Sequence, residues 1–184
     1  MYKGNKAQAG KYGTMLADSN EAMRCEYISA ILHASLYIVK RITKKELTLA
    51  PQLEVVSEES TGRVDYAIKA FEELICITEG KLHQVVMGFA QNLIQCENAL
   101  QVNKNMRKRK SGEAFGDEYD YIYGIVITAT EWYFILFVSD GISCTSKNPL
   151  NIRFTESALK ENSEEEKELY KNVKHGGYCW FIEG

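Results

Sequence analysis

A chain of 184 residues, 45% of them hydrophobic, suits one domain built around a single sizeable core. A net charge of −3 argues against a molecule whose overall field recruits nucleic acid, and only two prolines argue against a linker-rich chain. Five cysteines (Cys25, Cys76, Cys96, Cys144, Cys179) form no C-x-x-C pair, so zinc-type spacing is absent and Cys76 and Cys96 read as reduced core thiols.

Residues 1–18, rich in Gly, Lys and Gln, lack the apolar centre of a secretory signal and read as a flexible arm. Residues 19–175 read as the folded domain and 176–184 as a tail. Asn20 is a good N-cap, and Glu21 favours the positive end of a helix. Ile28, Ile31, Leu32, Ser35, Leu36 and Val39 then recur at helical spacing, which predicts a helix over Glu21 to Arg41. Pro51 to Val56 predicts a strand, and Ser57 to Gly62 a turn.

Two further apolar strands follow, Arg63 to Ile68 and Leu74 to Lys81, joined by the short break Lys69 to Glu73. Strict alternation places Val64, Tyr66 and Ile68 on one face and Asp65, Ala67 and Lys69 on the other. A hairpin brings the two strands together antiparallel, so that Asp65 faces Glu79. Opposed carboxylates repel unless a cation lies between them. Glu79 and Lys81 point the same way, about 7 Å apart at roughly 3.4 Å per residue, close enough to serve one phosphate. Asp65 and Glu79 are the candidate metal ligands, for Mg²⁺ or Mn²⁺. Such an ion polarises a phosphoryl oxygen and acidifies bound water, while Lys81 stabilises developing charge. A strand ending Glu79-Gly80-Lys81 is also what an ordinary solvated turn looks like.

Leu82 to Gln101 predicts a second helix. Gln84, Gly88, Gln91 and Gln95 share one of its faces, and Gln84 and Gln91 are candidates to line a substrate groove; a solvated face is the alternative. Asn103 to Glu118 reads as a polar loop carrying the run Arg107-Lys108-Arg109-Lys110, a candidate phosphate-binding patch or nuclear-import signal. Tyr119 to Thr130 and Glu131 to Val138 predict a hairpin, and Ser143 to Phe154 holds room for one more short strand. Glu156 to Val173 predicts a polar helix; after it, Trp180 and Phe181 either cover the core or face a second copy of the chain. No segment reaches membrane-spanning length, so no membrane contact is expected.

The order helix, three strands, helix, two strands, helix predicts an α/β (α+β) domain, with a central mixed sheet of about five strands flanked by helices. It is also the order of the restriction-endonuclease-like core. Asn20 to Arg24, Pro51 to Glu54, Gly62 to Ile68, Ile77 to Lys81 and Tyr121 to Val126 together resemble the C-terminal nuclease-like domain of Crinkler-type effectors, a PD-(D/E)XK family. The resemblance spans about Glu21 to Lys160. It implies phosphodiester hydrolysis in the nucleus, with DNA the expected target and RNA the alternative. It carries Asp65, Glu79 and Lys81 onto the catalytic set, Glu21 onto an acid that completes the metal site, and Gln91 onto a substrate-contacting glutamine. The chain departs from the family pattern at Val64, where a proline is usual, and at Gln95, where a tyrosine is usual. A second reading keeps the fold without the catalysis, as an effector that binds nucleic acid or a host nuclear protein.

Overall fold

The computed structural model describes residues 21–57, 61–81, 84–109, 120–128, 130–145, 147–152, 162–168 and 171. The arm at 1–18, Asn20, Lys110, the tail at 176–184 and most of the predicted 156–173 helix lie outside the described residues. The elements are α1 (Glu21–Thr43), β1 (Leu47–Val56), β2 (Thr61–Ala70), β3 (Glu73–Gly80), α2 (Val85–Arg109), β4 (Tyr121–Ile127), β5 (Glu131–Val138), β6 (Gly141–Cys144) and β7 (Leu150–Asn151). They fall into two compact units. One holds α1, residues 129–132 and the chain from 150 onward; the other holds residues 46–128 and 133–149.

In the first unit, Tyr27, Ile28, Ile31, Leu32, Leu36 and Val39 form the buried stripe of α1. The helix stops where Lys44 turns left-handed at φ 59°. There the Lys44 amide bonds the Lys40 carbonyl and the Thr43 hydroxyl donates to that of Val39, satisfying groups the helix end exposes. Residues 162–168 form the start of a short helical turn. Ser163 Oγ accepts the Glu166 amide at 3.0 Å, and Glu166 Oε2 accepts the Asn162 amide at 2.6 Å. That reciprocal cap starts a helix after Ser163, so within the helix expected over 156–173 the described residues 162 and 163 are not helical.

The sheet runs β1-β2-β3-β4-β5-β6, with β7 paired to the start of β5, making seven strands where about five were expected. Beyond those five are the two shortest, β6 and β7, and β7 lies within Ser143 to Phe154, where room for one more short strand was expected. β1, β2 and β3 form an antiparallel meander, and β3 pairs parallel with β4. A parallel neighbour needs a crossover, and α2 supplies it. The sheet is therefore mixed, and the fold is α+β.

The second unit's core lies between α2 and the sheet. Cys96, Ala99 and Leu100 of α2 pack with Val55, Val64, Ala67, Leu74, Ile77 and Ile122. Val85, Phe89 and Leu93 pack on Val126, Tyr133 and Ile135. Strict alternation fails along β2: Val64, Tyr66, Ala67 and Ile68 are all buried, and Val64 and Ala67 share one cluster. Side chains on both faces of β2 are thus buried, so its pattern reads as a near-continuous apolar run.

α2 extends to Arg109, eight residues beyond the expected end at Gln101. Two tertiary contacts hold that extension. The Asn103 side chain, 1% exposed, accepts the Leu74 amide at 3.0 Å and donates to the Leu74 carbonyl at 2.7 Å. Arg107 forms a two-point pair with Glu73, at 2.9 Å for each contact. Asn103→Ala orphans both backbone groups of Leu74, and urea denaturation is expected to show a loss of about 2–3 kcal/mol.

Candidate active site

The meander's register builds the site. Tyr66 pairs with Thr78, so the next step places Asp65 opposite Glu79 at the end of β3. The Gly80 amide donates to Asp65 Oδ2 at 2.8 Å. On the other side, Gln52 of β1 stands opposite Asp65, and its Nε2 donates to Asp65 Oδ1 at 3.3 Å. Each carboxylate oxygen of Asp65 thus has a donor from a neighbouring strand. β1 is the edge of the sheet, which tolerates Pro51 without an amide hydrogen. The following residue, Gln52, adopts a left-handed φ of 50°.

Glu79 is 4% exposed. Burial pushes its carboxyl up to about 7; the Asp65 charge pushes it the same way, and the Lys81 charge opposes both. Asp65, Glu79 and Lys81 are therefore brought together, as the alternation of β3 and the hairpin register require. The Lys81 amide donates to the Ile127 carbonyl at 2.7 Å, extending the β3–β4 ladder by one step. The Lys81 stem runs over Gly88 in the first turn of α2. A Cβ on Gly88 would stand 3.2 Å from Lys81 Cγ and 2.8 Å from Val126 Cγ1. A glycine weakens a helix, and this one is explained by the close approach of Val126 and then of the Lys81 stem.

The other candidates are placed differently. Gln84 and Gln91 are exposed, Gln84 just before α2 and Gln91 within it. Gln95, on the same expected face, is half-buried, and its amide fills the space above Gly62. Arg107 is bound to Glu73 at the start of β3, with Asp120 3.6 Å away. Glu79 ends the same strand, about 20 Å further along at roughly 3.3 Å per residue. Arg107 thus ties α2 to the sheet remote from the carboxylate pair. Lys108 and Arg109 continue α2 as helix rather than loop, their side chains lying outside the described residues, as does all of Lys110. Glu21 is exposed at the start of α1 and belongs to the other unit.

Sequence reasoning missed Gln52 and the buried asparagine Asn92. Asn92 is fully buried; its Nδ2 donates to the Ile77 carbonyl at 3.0 Å and lies 3.4 Å from that of Ile125. A Cβ on Gly124 would fall 2.0 Å from Asn92 Oδ1, so the glycine makes room for the amide. Asn92 thereby pins α2 to β3 and β4 two residues before Glu79. The signal was available: Asn92, Cys96, Ala99 and Asn103 share a helical face of small residues that closely approaches a sheet.

Two carboxylates and a nearby ammonium suit a divalent cation beside a phosphate. Among the described residues, no three His, Cys, Asp or Glu side chains converge in a ready-made cage. Asp65 and Glu79 are a pair of carboxylates, and Mg²⁺ can be held by one or two, with water and phosphate oxygens completing its shell. A buried acid raised by its neighbour's charge also gains by sharing a cation. No helix among the described residues is long and apolar enough to cross a membrane. No family model, curated protein or solved structure matches the chain.

Proposed function

We propose that the protein is a divalent-cation-dependent phosphodiesterase of PD-(D/E)XK type, acting on DNA. The observation that carries the reading is the meeting of Asp65, Glu79 and Lys81 around a buried carboxyl raised to about 7. Asp65 and Glu79 would hold Mg²⁺ or Mn²⁺, which supplies Lewis acidity and a nucleophilic water near neutral pH. The amides of Gly80 and Gln52 keep Asp65 oriented. Lys81, with its stem lying on Gly88, presents its ammonium where negative charge builds on the phosphate. Glu79 accepts the cation in its ionised form, so binding strengthens as pH rises through about 7 and releases a proton. The strand order and the motif resemblance support a restriction-endonuclease-like core and a Crinkler-type effector acting in the nucleus. With Arg107 tied to Glu73, the sequence Lys108-Arg109-Lys110 is what supports nuclear import.

The test is thermal unfolding with Mn²⁺ at pH 8. The wild type is expected to gain Tm with the ion and Asp65→Asn to gain none. No gain in the wild type rejects the cation site. A second reading, a nuclease-fold protein that binds nucleic acid or a host nuclear protein without cutting, draws on the count of two converging carboxylates. It predicts salt-sensitive DNA binding with no cleavage.

A further inference from the structure

We infer that Gln52 is a positioning residue, which aims the Asp65 carboxylate at the cation; this rests on the function proposed above. Three observations converge on it. Gln52 and Asp65 stand opposite each other between the paired steps Pro51–Tyr66 and Leu53–Val64, and they are the one step of that stretch without a ladder pair. In place of the ladder, the Gln52 side chain donates to Asp65 Oδ1 at 3.3 Å. The backbone of Gln52 is also left-handed, at φ 50°, in the middle of a strand.

A long, flexible side chain gains nothing from that φ. Non-glycine residues avoid the region, at a cost of about 1 kcal/mol or more. The fold would be better served by glycine. An amide fits the contact because it donates to the carboxylate without adding a charge that competes with the cation. With Gly80 donating to Oδ2 from β3, Gln52 donates to Oδ1 from β1, and the carboxylate has a donor on each side. The remaining lone pairs of both oxygens stay available to the ion. Gln52 is itself exposed, so the same edge is open to solvent and to a phosphate.

The glycine variant separates a fold role from a site role. In Gln52→Gly the strain disappears together with the donor. The whole chain is titrated with Mn²⁺ at pH 8 by calorimetry, beside wild type and Asp65→Asn, and each protein's Tm is measured without metal. The expected result is an unchanged or higher Tm for Gln52→Gly with Mn²⁺ binding about fivefold weaker, the scale of one exposed charge-assisted hydrogen bond. Wild-type affinity in Gln52→Gly, with binding lost in Asp65→Asn, overturns the positioning role and leaves the cation site standing. A lower Tm in Gln52→Gly also overturns it, because Gln52 then serves the fold. Absence of Mn²⁺ binding in the wild type overturns the proposed function, and this inference with it.

Discussion

Glu79→Gln will be more stable than the wild type above pH 7 and will lose divalent-cation binding. The folded-state carboxyl is raised from its ordinary 4.5 to about 7, so the native state holds the proton more tightly than the unfolded chain does. Native stability then falls as pH rises from about 4.5 to about 7, because a buried carboxyl must ionise, and the full cost is present above about 7. The rise corresponds to about 3 kcal/mol at most. Glutamine keeps the shape and never ionises, so the gap between variant and wild type opens over that pH window and closes below it. Urea unfolding at pH 4 and pH 8 measures the gap directly. The same substitution removes a ligand, and changes one shell further out already cost about 10–100-fold in metal affinity. Calorimetry with Mn²⁺ should show at least that loss. A Glu79→Gln protein that is no more stable at pH 8, or that binds Mn²⁺ like the wild type, contradicts the assignment of Glu79.

Lys81→Ala should lose about 10²–10³-fold in cleavage rate while keeping cation binding, since a lone preorganised charge at the developing oxyanion contributes on that scale. The fold should survive. The Lys81 amide bond to Ile127 does not depend on the side chain, and the vacated stem leaves space at Gly88 rather than a clash. Removing the ammonium also removes a charge that repels the cation, so Mn²⁺ affinity should hold or rise. The signature is a fall in kcat with intact metal binding and Tm. Loss of metal binding in Lys81→Ala would assign the lysine to keeping the two carboxylates ionised side by side rather than to the phosphate.

The meeting of Asp65, Glu79 and Lys81 was legible because it depends on local periods. Residues two apart on a strand share a face, and a short hairpin fixes which residues meet, so Asp65, Glu79 and Lys81 follow from spacing alone. Element order was legible too, from the helical period of α1 and from the dense apolar, β-branched and aromatic runs of β2, β3, β4 and β5 bounded by polar breaks. What depended on partners far along the chain was not. The end of α2 is set by Asn103 gripping Leu74 and Arg107 gripping Glu73, each across about 30 residues of chain. Sequence alone therefore places the basic run on a polar loop, as a phosphate-binding patch or nuclear-import signal, although α2 runs through Arg109. The same long-range pairing takes Arg107 away from the acids. Gln52 escaped notice because an exposed glutamine beside a proline on an edge strand has no pattern of its own; only the register to Asp65 gives it one. The glutamine stripe divided because helical phase says which residues share a face, not which neighbour that face meets. Gly88 met Lys81, and Gln95 met Gly62.

The most direct test is nicking of supercoiled plasmid and degradation of single-stranded DNA in Mg²⁺ or Mn²⁺, with wild type and Lys81→Ala purified side by side. Cleavage by the wild type that a chelator stops and Lys81→Ala lacks is the predicted result. Equal cleavage by both proteins, or none by a wild type that binds Mn²⁺, contradicts a phosphodiesterase built on Asp65, Glu79 and Lys81.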